Sequence, residues 1–473
     1  REALLERGIL TSLAPHLVRP LPMVVPSFGG KRPDRMLGTG LTLYDGMARE
    51  LRRGGDQDWS PDRHRIIEGD EVLKLVPALE PRNPTAGYLF YDCQTDDARL
   101  VLTVLGEAER FGAIVANRLE VRDLIHDESG WANAVRVADG LSGDEFEIRA
   151  GTIVNATGVW ADRISTEEFY AAEEVPRIRP SRGTHLTVAQ ERLPLAAGAI
   201  VPAGKRTIFV LPWLGRTLIG TTDADYEGEL DHIAPSAEDI DYLLGATNKF
   251  FETEITPEEL TGAYAGVRPL ISTGDPKKSV DISRRAELYE TSSGMLTITG
   301  GKLTTFRRMA KHVVDRLVER DGRDAPCRTH EIPLGMEATP EDLPAMEGVE
   351  EDTYKLLAHR YGHAARAVLD LAEEREELRA RIVPDLPDLL AEVVIAARAE
   401  QAASVGDVML RRTRLGLLAA PEVCAEDSEP ARAVARVLGA ELGWDDARVD
   451  SELAAWREEA AAEGIALQGV VAA

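Results

Sequence analysis

The sequence predicts an α/β protein: a doubly wound, cofactor-binding kind of domain that carries an antiparallel sheet, followed by a separate α-helical domain. Three observations predict this. Residues 295–299 form a short apolar run that ends in Gly300 and Gly301, after which Phe306, Met309, Ala310, Val313 and Leu317 recur at helical spacing. Residues 152–154 form a second apolar run, predicted as a buried strand, that ends in Thr157 and Gly158 and leads towards a helix. The stretch between them, residues 181–299, alternates apolar and polar positions around turns, whereas the chain beyond residue 351 is rich in Ala, Glu and Arg with a helical period.

Taken in order, residues 1–60 read as helical and loop-like, because Pro15, Pro20, Pro22, Pro26 and Pro33 punctuate them and a helix pattern resumes only at 41–47. Residues 87–92 read as a strand. Asp96 or Asp97 then caps a helix through Leu100, Val104, Ala108 and Phe111, which Gly112 stops. Residues 113–116 read as a short strand, and 119–148 as hairpins turning at Ser129-Gly130 and Ser142-Gly143. Within 181–299, strands are expected at 184–188, 207–212, 217–222 and 263–270, and residues 280–284 lead into a hairpin that turns at 292–294. The expected organisation is one domain over 1–330, a linker over 331–350 and a helical domain over 351–473. In the last, Leu389, Leu390, Val393, Val394 and Ala397 share a stripe and Asp407 caps a helix.

The formal net charge is −26, from 55 basic and 81 acidic residues. A nucleic-acid partner would require a basic footprint, so that class is set aside. Cys93, Cys327 and Cys424 are far apart, odd in number and without metal spacing, which suits reduced cytosolic thiols. No apolar run approaches the roughly 18 residues that span a bilayer.

Glycines between a strand and a helix N-terminus let polar cofactor atoms meet the backbone and the orphan N–H groups of the first turn. That applies to Gly300, Gly301, Leu303 and Thr304, and to Thr157 and Gly158; a plain strand-to-helix turn explains each stretch as well when taken alone. Arg268 and Arg284 stand in strand context, and a guanidinium fork suits phosphate or carboxylate, although two solvated edge residues would look the same. Lys302 follows the glycines, where its ammonium could meet a ligand oxygen or only water. His185 is a candidate proton acceptor or a structural strand histidine. His359 and His363 read as a solvated pair, and residues 411–414 as a salt-bridged helix face. No strand is followed by G-x-G-x-x-G.

Read together, these stretches resemble the FAD-dependent glycerol-3-phosphate dehydrogenases of the aerobic type. The matching segments run in order: 13–17, 91–92 with 95–100, 154–158, 181–185, 211–213, 219–223, 266–270, 300–305 and 407–415. The resemblance implies an FAD-binding doubly wound domain, an antiparallel-sheet substrate domain and a helical C-terminal domain. It implies that hydride passes from C2 of sn-glycerol 3-phosphate to the flavin, a base takes the hydroxyl proton, and electrons go on to a quinone. Carried over by position, Arg268 and Arg284 bind the phosphate and glycerol oxygens. Lys302 sits near flavin and substrate, and His185 completes the catalytic set. Gly300, Gly301, Lys302, Leu303 and Thr304 line the flavin, with Thr157 and Gly158 on the far side of the FAD site. The family also opens on a strand with the glycine fingerprint and an arginine-containing segment; neither is in this chain, so the first βαβ unit is expected upstream of Arg1. Arg285 stands where relatives carry a smaller, acidic or imidazole residue. A cytoplasmic enzyme with peripheral membrane contact, and a homodimer, are carried as expectations. A flavin oxidase passing electrons to oxygen, and a cofactor-free remnant that only binds a partner or phosphometabolite, are the alternatives.

Overall fold

The computed structural model describes residues 2–31, 33–52, 63–163, 177–272 and 285–465. Arg284 and the segment expected at 280–284 lie outside the described residues. The chain begins with α1 (Glu2–Leu13), β1 (Arg19–Phe28), α2 (Arg35–Arg52), β2 (Arg65–Glu68), α3 (Gly69–Leu75), β3 (Pro84–Gln94) and α4 (Asp97–Arg110). A meander of β4 (Leu119–His126), β5 (Ala132–Asp139) and β6 (Glu145–Arg149) precedes β7 (Val154–Asn155). Then come β8 (Ile178–Ala189), β9 (Gly198–Ala203), β10 (Arg206–Trp213), β11 (Arg216–Gly220), β12 (Ala224–Asp225), α5 (Ala237–Phe251) and β13 (Leu260–Ile271). β14 (Ala286–Glu290) and β15 (Leu296–Gly300) lead into α6 (Phe306–Arg320).

The largest sheet runs β12-β8-β11-β10-β9-β1-β3-β2, with β13 on the other edge of β8. It therefore reaches beyond the expected 181–299 segment and recruits β1, β2 and β3. The prolines concealed β1. Pro20, Pro22 and Pro26 are an even number of residues apart, so their missing N–H groups all face one side of the strand. The antiparallel ladder with β3, Arg19↔Gln94 through Phe28↔Pro84, occupies one side, and among the described residues the pairs on the other are Met23↔Gly198 and Val24↔Ala199 with β9. Gly198 is closed in by Met23 and Leu211, and a Cβ there would overlap Met23 Sδ.

Even-numbered residues of β8, among them Leu186 and Val188, face a core shared with Ile240, Leu243, Leu244 and Phe251 of α5. The antiparallel expectation for 181–299 missed α5, although Ser236 caps it by accepting from Asp239 N and its apolar residues follow helical spacing. Odd-numbered residues of β8 face the opposite side, where the candidate site and the helical domain lie.

In a second sheet β15 pairs antiparallel with β14 and parallel with β7. β7 is not the buried strand expected: two described residues pair, Val154 is 40% exposed, and a 3-10 turn, Gly158–Trp160, follows directly; residues 164–176, where the expected helix would lie, are outside the described residues. Residues 113–116 are not a strand either, and Ile114 is 98% exposed. No described strand lies beside them to complete a ladder.

The last part of the chain is helical: α7 (Glu351–Tyr361), α8 (Ala365–Glu374), α9 (Leu390–Ala399), α10 (Val405–Arg411), α11 (Leu415–Leu418), α12 (Ala420–Val423), α13 (Glu429–Leu442) and α14 (Asp446–Ala462). The cap of α10 is Ser404, which accepts from Asp407 N; Asp407, at the third helical position, accepts in return from Ala403 N. A buried ionic network ties this part to α4. Arg99 pairs with Glu400, donates to the Arg412 carbonyl at 3.2 Å and lies over the Tyr361 ring. Arg360 pairs with both Asp388 and Glu392, all three at most 3% exposed. The basic run 411–414 is salt-bridged as expected, through Arg411–Glu459, Arg412–Glu400 and Arg414–Asp96. His359 is not solvated: burial first, then Arg19, lowers its pKa to about 4.

Candidate active site

The site has two parts that meet at the end of β15. The first is a pair of turns. Gly300 (φ 75°), Gly301 (φ 78°) and Gly158 (φ 62°) all occupy the left-handed region, which strains any residue with a Cβ. Gly300 and Gly301 are also crowded: a Cβ at Gly300 would lie 2.6 Å from the Arg285 carbonyl, and one at Gly301 would overlap Met309 Sδ. Gly158 differs. Its carbonyl accepts from Thr299 Oγ1 at 2.9 Å, which fixes the turn, yet among the described residues no atom lies within 4 Å of its Cβ position. Thr157 is held by Asn155, whose Oδ1 accepts from its N–H at 3.2 Å and its hydroxyl at 2.6 Å. Thr157, Gly158 and Gly300 through Thr304 are thus brought together. Lys302 and Leu303 are exposed, and Lys302 precedes the 3-10 turn Leu303–Thr305 that opens α6. α1 packs beside this turn, fixed by Arg307 donating to the buried Glu6 at 2.6 and 2.8 Å.

The second part is the odd face of β8 with β13. His185 pairs with Tyr264, Gly183 with Gly266 and Ser181 with Arg268. Arg268 folds back over Gly183: a Cβ there would lie 2.7 and 2.8 Å from its terminal nitrogens. The guanidinium reaches Thr221 Oγ1 (3.4 Å), the Thr222 carbonyl (3.5 Å) and Asp223 Oδ1 (3.8 Å), and Asp223 is itself held by the Ser181 hydroxyl. These contacts hold the fork beside Thr221, Thr222 and Asp223. His185 is kept neutral: burial first, then the Arg268 cation, lowers its pKa to about 4. Gly266, in a strand interior and exposed, has nothing described within 4 Å of its Cβ position. A glycine so placed leaves room for close approach to the backbone.

Ile271 of β13 packs against Gly300, so Arg268 stands three residues, roughly 10 Å, along the strand from the turns. The structure therefore brings together His185 with Arg268, and the glycine turns with one another, on connected elements. Sequence reasoning missed Thr221, Asp223 and Tyr264. Tyr264 shares the parity of Arg268, but only the register sets it against His185.

The turn backbone is compatible with polar groups of FAD: the Gly158 carbonyl is fixed, its Cα face is open among the described residues, and Lys302 and Leu303 ahead of α6 are exposed. The 473 residues contain no glycine fingerprint for its pyrophosphate.

The family model described as FAD dependent oxidoreductase matches residues 4–316, and the C-terminal domain of alpha-glycerophosphate oxidase matches residues 297–449. Glycerol-3-phosphate dehydrogenase 2 of Mycobacterium tuberculosis is 34% identical over 472 residues, covering 98% of this chain and 78% of the relative. Aerobic glycerol-3-phosphate dehydrogenase of Bacillus subtilis is 32% identical over 432 residues, covering 86% and 75%. The solved glycerol-3-phosphate dehydrogenase of Bacillus halodurans, complexed with FAD, aligns with TM-score 0.74 and 26% identity over 98% of this chain and 85% of that one. The two-part site, the mixed sheets, the helical C-terminal part and this end-to-end similarity agree: the chain belongs to the family of FAD-dependent glycerol-3-phosphate dehydrogenases.

Proposed function

We propose that the protein oxidises sn-glycerol 3-phosphate to dihydroxyacetone phosphate, with FAD as the hydride acceptor. The observation that carries this is the placement of an arginine fork and a neutral histidine on one sheet face, the one that also carries Gly183 and Gly266. A guanidinium fork matches the oxygens of a phosphate dianion, and Arg268 supplies one. Arg284 would add a second cation to the phosphate and glycerol oxygens. His185 stays unprotonated across the neutral range, so it can accept the hydrogen bond and then the proton of the C2 hydroxyl as the C2 hydride leaves. Lys302, at the exposed turn, would orient a substrate oxygen near the cofactor. Thr157 and Gly158 would hold the cofactor from one side, and Gly300, Gly301, Leu303 and Thr304 from the other. When bound, FAD supplies the two-electron acceptor that no side chain can provide.

A quinone at the cytoplasmic face of the membrane would then reoxidise the enzyme, by a peripherally attached homodimer; no helix of the described residues is long and apolar enough to cross a membrane. An oxidase passing electrons to oxygen is not favoured. The test is anaerobic addition of glycerol 3-phosphate to the flavin-loaded protein. Bleaching of the flavin band is expected, with colour restored by a quinone analogue and little peroxide formed in air. A loaded protein that the substrate leaves coloured would end this reading.

A further inference from the structure

His185 lies in a slot with two unlike walls. On one side it pairs with Gly220 of β11, where a Cβ would overlap the imidazole. On the other it pairs with Tyr264, and the two rings stack at 5.2 Å with an interplanar angle of 15°. Tyr264 in turn leans on Trp213, 6.3 Å away, and the Arg414 guanidinium lies 6.0 Å over that indole. Arg414 belongs to the helical domain and is anchored on Asp96 and Asp97 at the start of α4. One pair further along the same face, the Thr187 hydroxyl donates to the Leu417 carbonyl of α11 at 2.8 Å, and a Cβ at Gly262 would overlap that carbonyl. The helical domain thus presses on the sheet immediately beside the His185–Tyr264 pair.

We infer that Tyr264 is a positioning residue of the reaction: its ring, wedged between the helical domain and His185, holds the imidazole flat against the sheet beside Arg268. This rests on the assignment of His185 as the proton acceptor. The physical reason is that a histidine ring is otherwise free to turn about its side-chain bonds and to gather water. The glycine wall makes room for the ring but cannot hold it. The aromatic wall does both, and it excludes water from one whole face of the imidazole. The charged groups around the pair are Arg268 on β13, Asp223 beside Arg268, and Arg414 with Asp96 and Asp97 beyond Tyr264. Burial holds the phenol of Tyr264 in its neutral form, so the ring contributes shape and dryness, not charge.

The test compares Tyr264→Leu with Tyr264→Phe in the full chain, loaded with FAD. The readouts are the pH profile of kcat for glycerol 3-phosphate and the titration of the His185 imidazole by NMR, assigned with His185→Gln. In Tyr264→Leu water reaches the ring, so the acid limb and the imidazole titration should both move up by about one to two pH units. Below pH 6 kcat should fall more than KM rises, because Arg268 still binds the phosphate. Tyr264→Phe, which keeps the ring, should restore the wild-type profile. Should Tyr264→Leu prove too unstable to load, Tyr264→Met removes the flat face at similar volume and carries the same expectation. An unchanged imidazole titration in the Leu or Met variant overturns the inference, as does a Phe variant that behaves like Leu. Wild-type protein that never turns over the substrate would refute the proposed reaction instead, and the NMR titration would still decide the inference.

Discussion

Replacing Gly183 by alanine should move Arg268 without altering it. The new Cβ would sit 2.7 and 2.8 Å from the two terminal guanidinium nitrogens and 2.7 Å from Thr221 Oγ1. Ordinary contact begins near 3.4 Å, so the fork must retreat by 3.4 − 2.7, or about 0.7 Å. No backbone strain accompanies the change, because Gly183 pairs within the β8–β13 ladder and its φ is outside the left-handed region. A 1 Å error in a substrate-positioning group costs on the order of 100-fold in rate. A shift of 0.7 Å then predicts a loss of roughly 10- to 100-fold in kcat/KM, or about 1.4–2.7 kcal/mol at the usual tenfold per 1.36 kcal/mol. Most of the loss should appear in KM, since the arginine grips the phosphate in ground and transition states alike. The displaced atoms end a flexible side chain, so stability should fall by less than about 1 kcal/mol. The assay is steady-state oxidation of glycerol 3-phosphate with a dye acceptor, alongside thermal unfolding of the same samples. A variant with kcat/KM within about twofold of wild type, at unchanged Tm, would refute the assignment of Arg268 to the substrate.

Gly158→Val places a side chain where the cofactor is expected to lie, at a strained φ of 62°. The purified variant should carry much less flavin per chain by absorbance, and wild-type flavin content would exclude Gly158 from the cofactor site. Arg360→Met leaves Asp388 and Glu392 buried together without their cation. Urea unfolding should show a loss of about 3–5 kcal/mol; a loss under about 1 kcal/mol would show that the carboxylates find another partner. His16 is 1% exposed, and burial with the Arg19 cation lowers its pKa to about 4 from 6.5. The unfolded chain therefore binds the proton first, so stability is fully present above pH 6.5 and is lost as pH falls towards 4. For this residue the loss approaches about 3 kcal/mol, and a Tm that stays flat from pH 7 to 4.5 would contradict it. Cys327 should react with Ellman's reagent well before Cys93 and Cys424. Burial pushes those two thiols up to about 12, whereas hydrogen bonds from Thr329 and the Arg307 cation outweigh partial burial at Cys327.

The parts of the fold legible in the sequence were those governed by local rules. Asp96 caps α4, the 119–148 meander turns at its Ser-Gly pairs, and the run 295–299 is a strand whose glycines lead into the helix α6. The parts that were hidden depend on partners far away in the chain. β1 is a strand only because β3 supplies a ladder on the side its prolines leave intact. Residues 113–116 look like a strand and are not one, since strand propensity without a neighbour forms nothing. α5 was legible and overlooked: the alternation around it drew attention from Ser236 and the spacing of Ile240, Leu243 and Phe250. At the site, Arg268 and His185 were legible as residue types. Their relation was not, because it follows from the β8–β13 register and from two glycines, Gly183 and Gly220, whose only message is the room they leave.

The two register pairs that join β1 to β9 form a seam through the large sheet. On one side lie β2, β3 and β1; on the other lie β8 to β13, with His185 and Arg268. Side chains in the common core, Val24 and Leu89 among them, hold the halves together across the seam, where few ladder bonds do. Opening there frees two backbone pairs, whereas parting β8 from β13 frees a whole strand. Amide hydrogen exchange should therefore divide the sheet into two cooperative blocks, with the β9 edge near Gly198 losing protection first. His185 and Arg268 both sit within one block, so thermal fluctuation of the seam can pass without disturbing the distance between them.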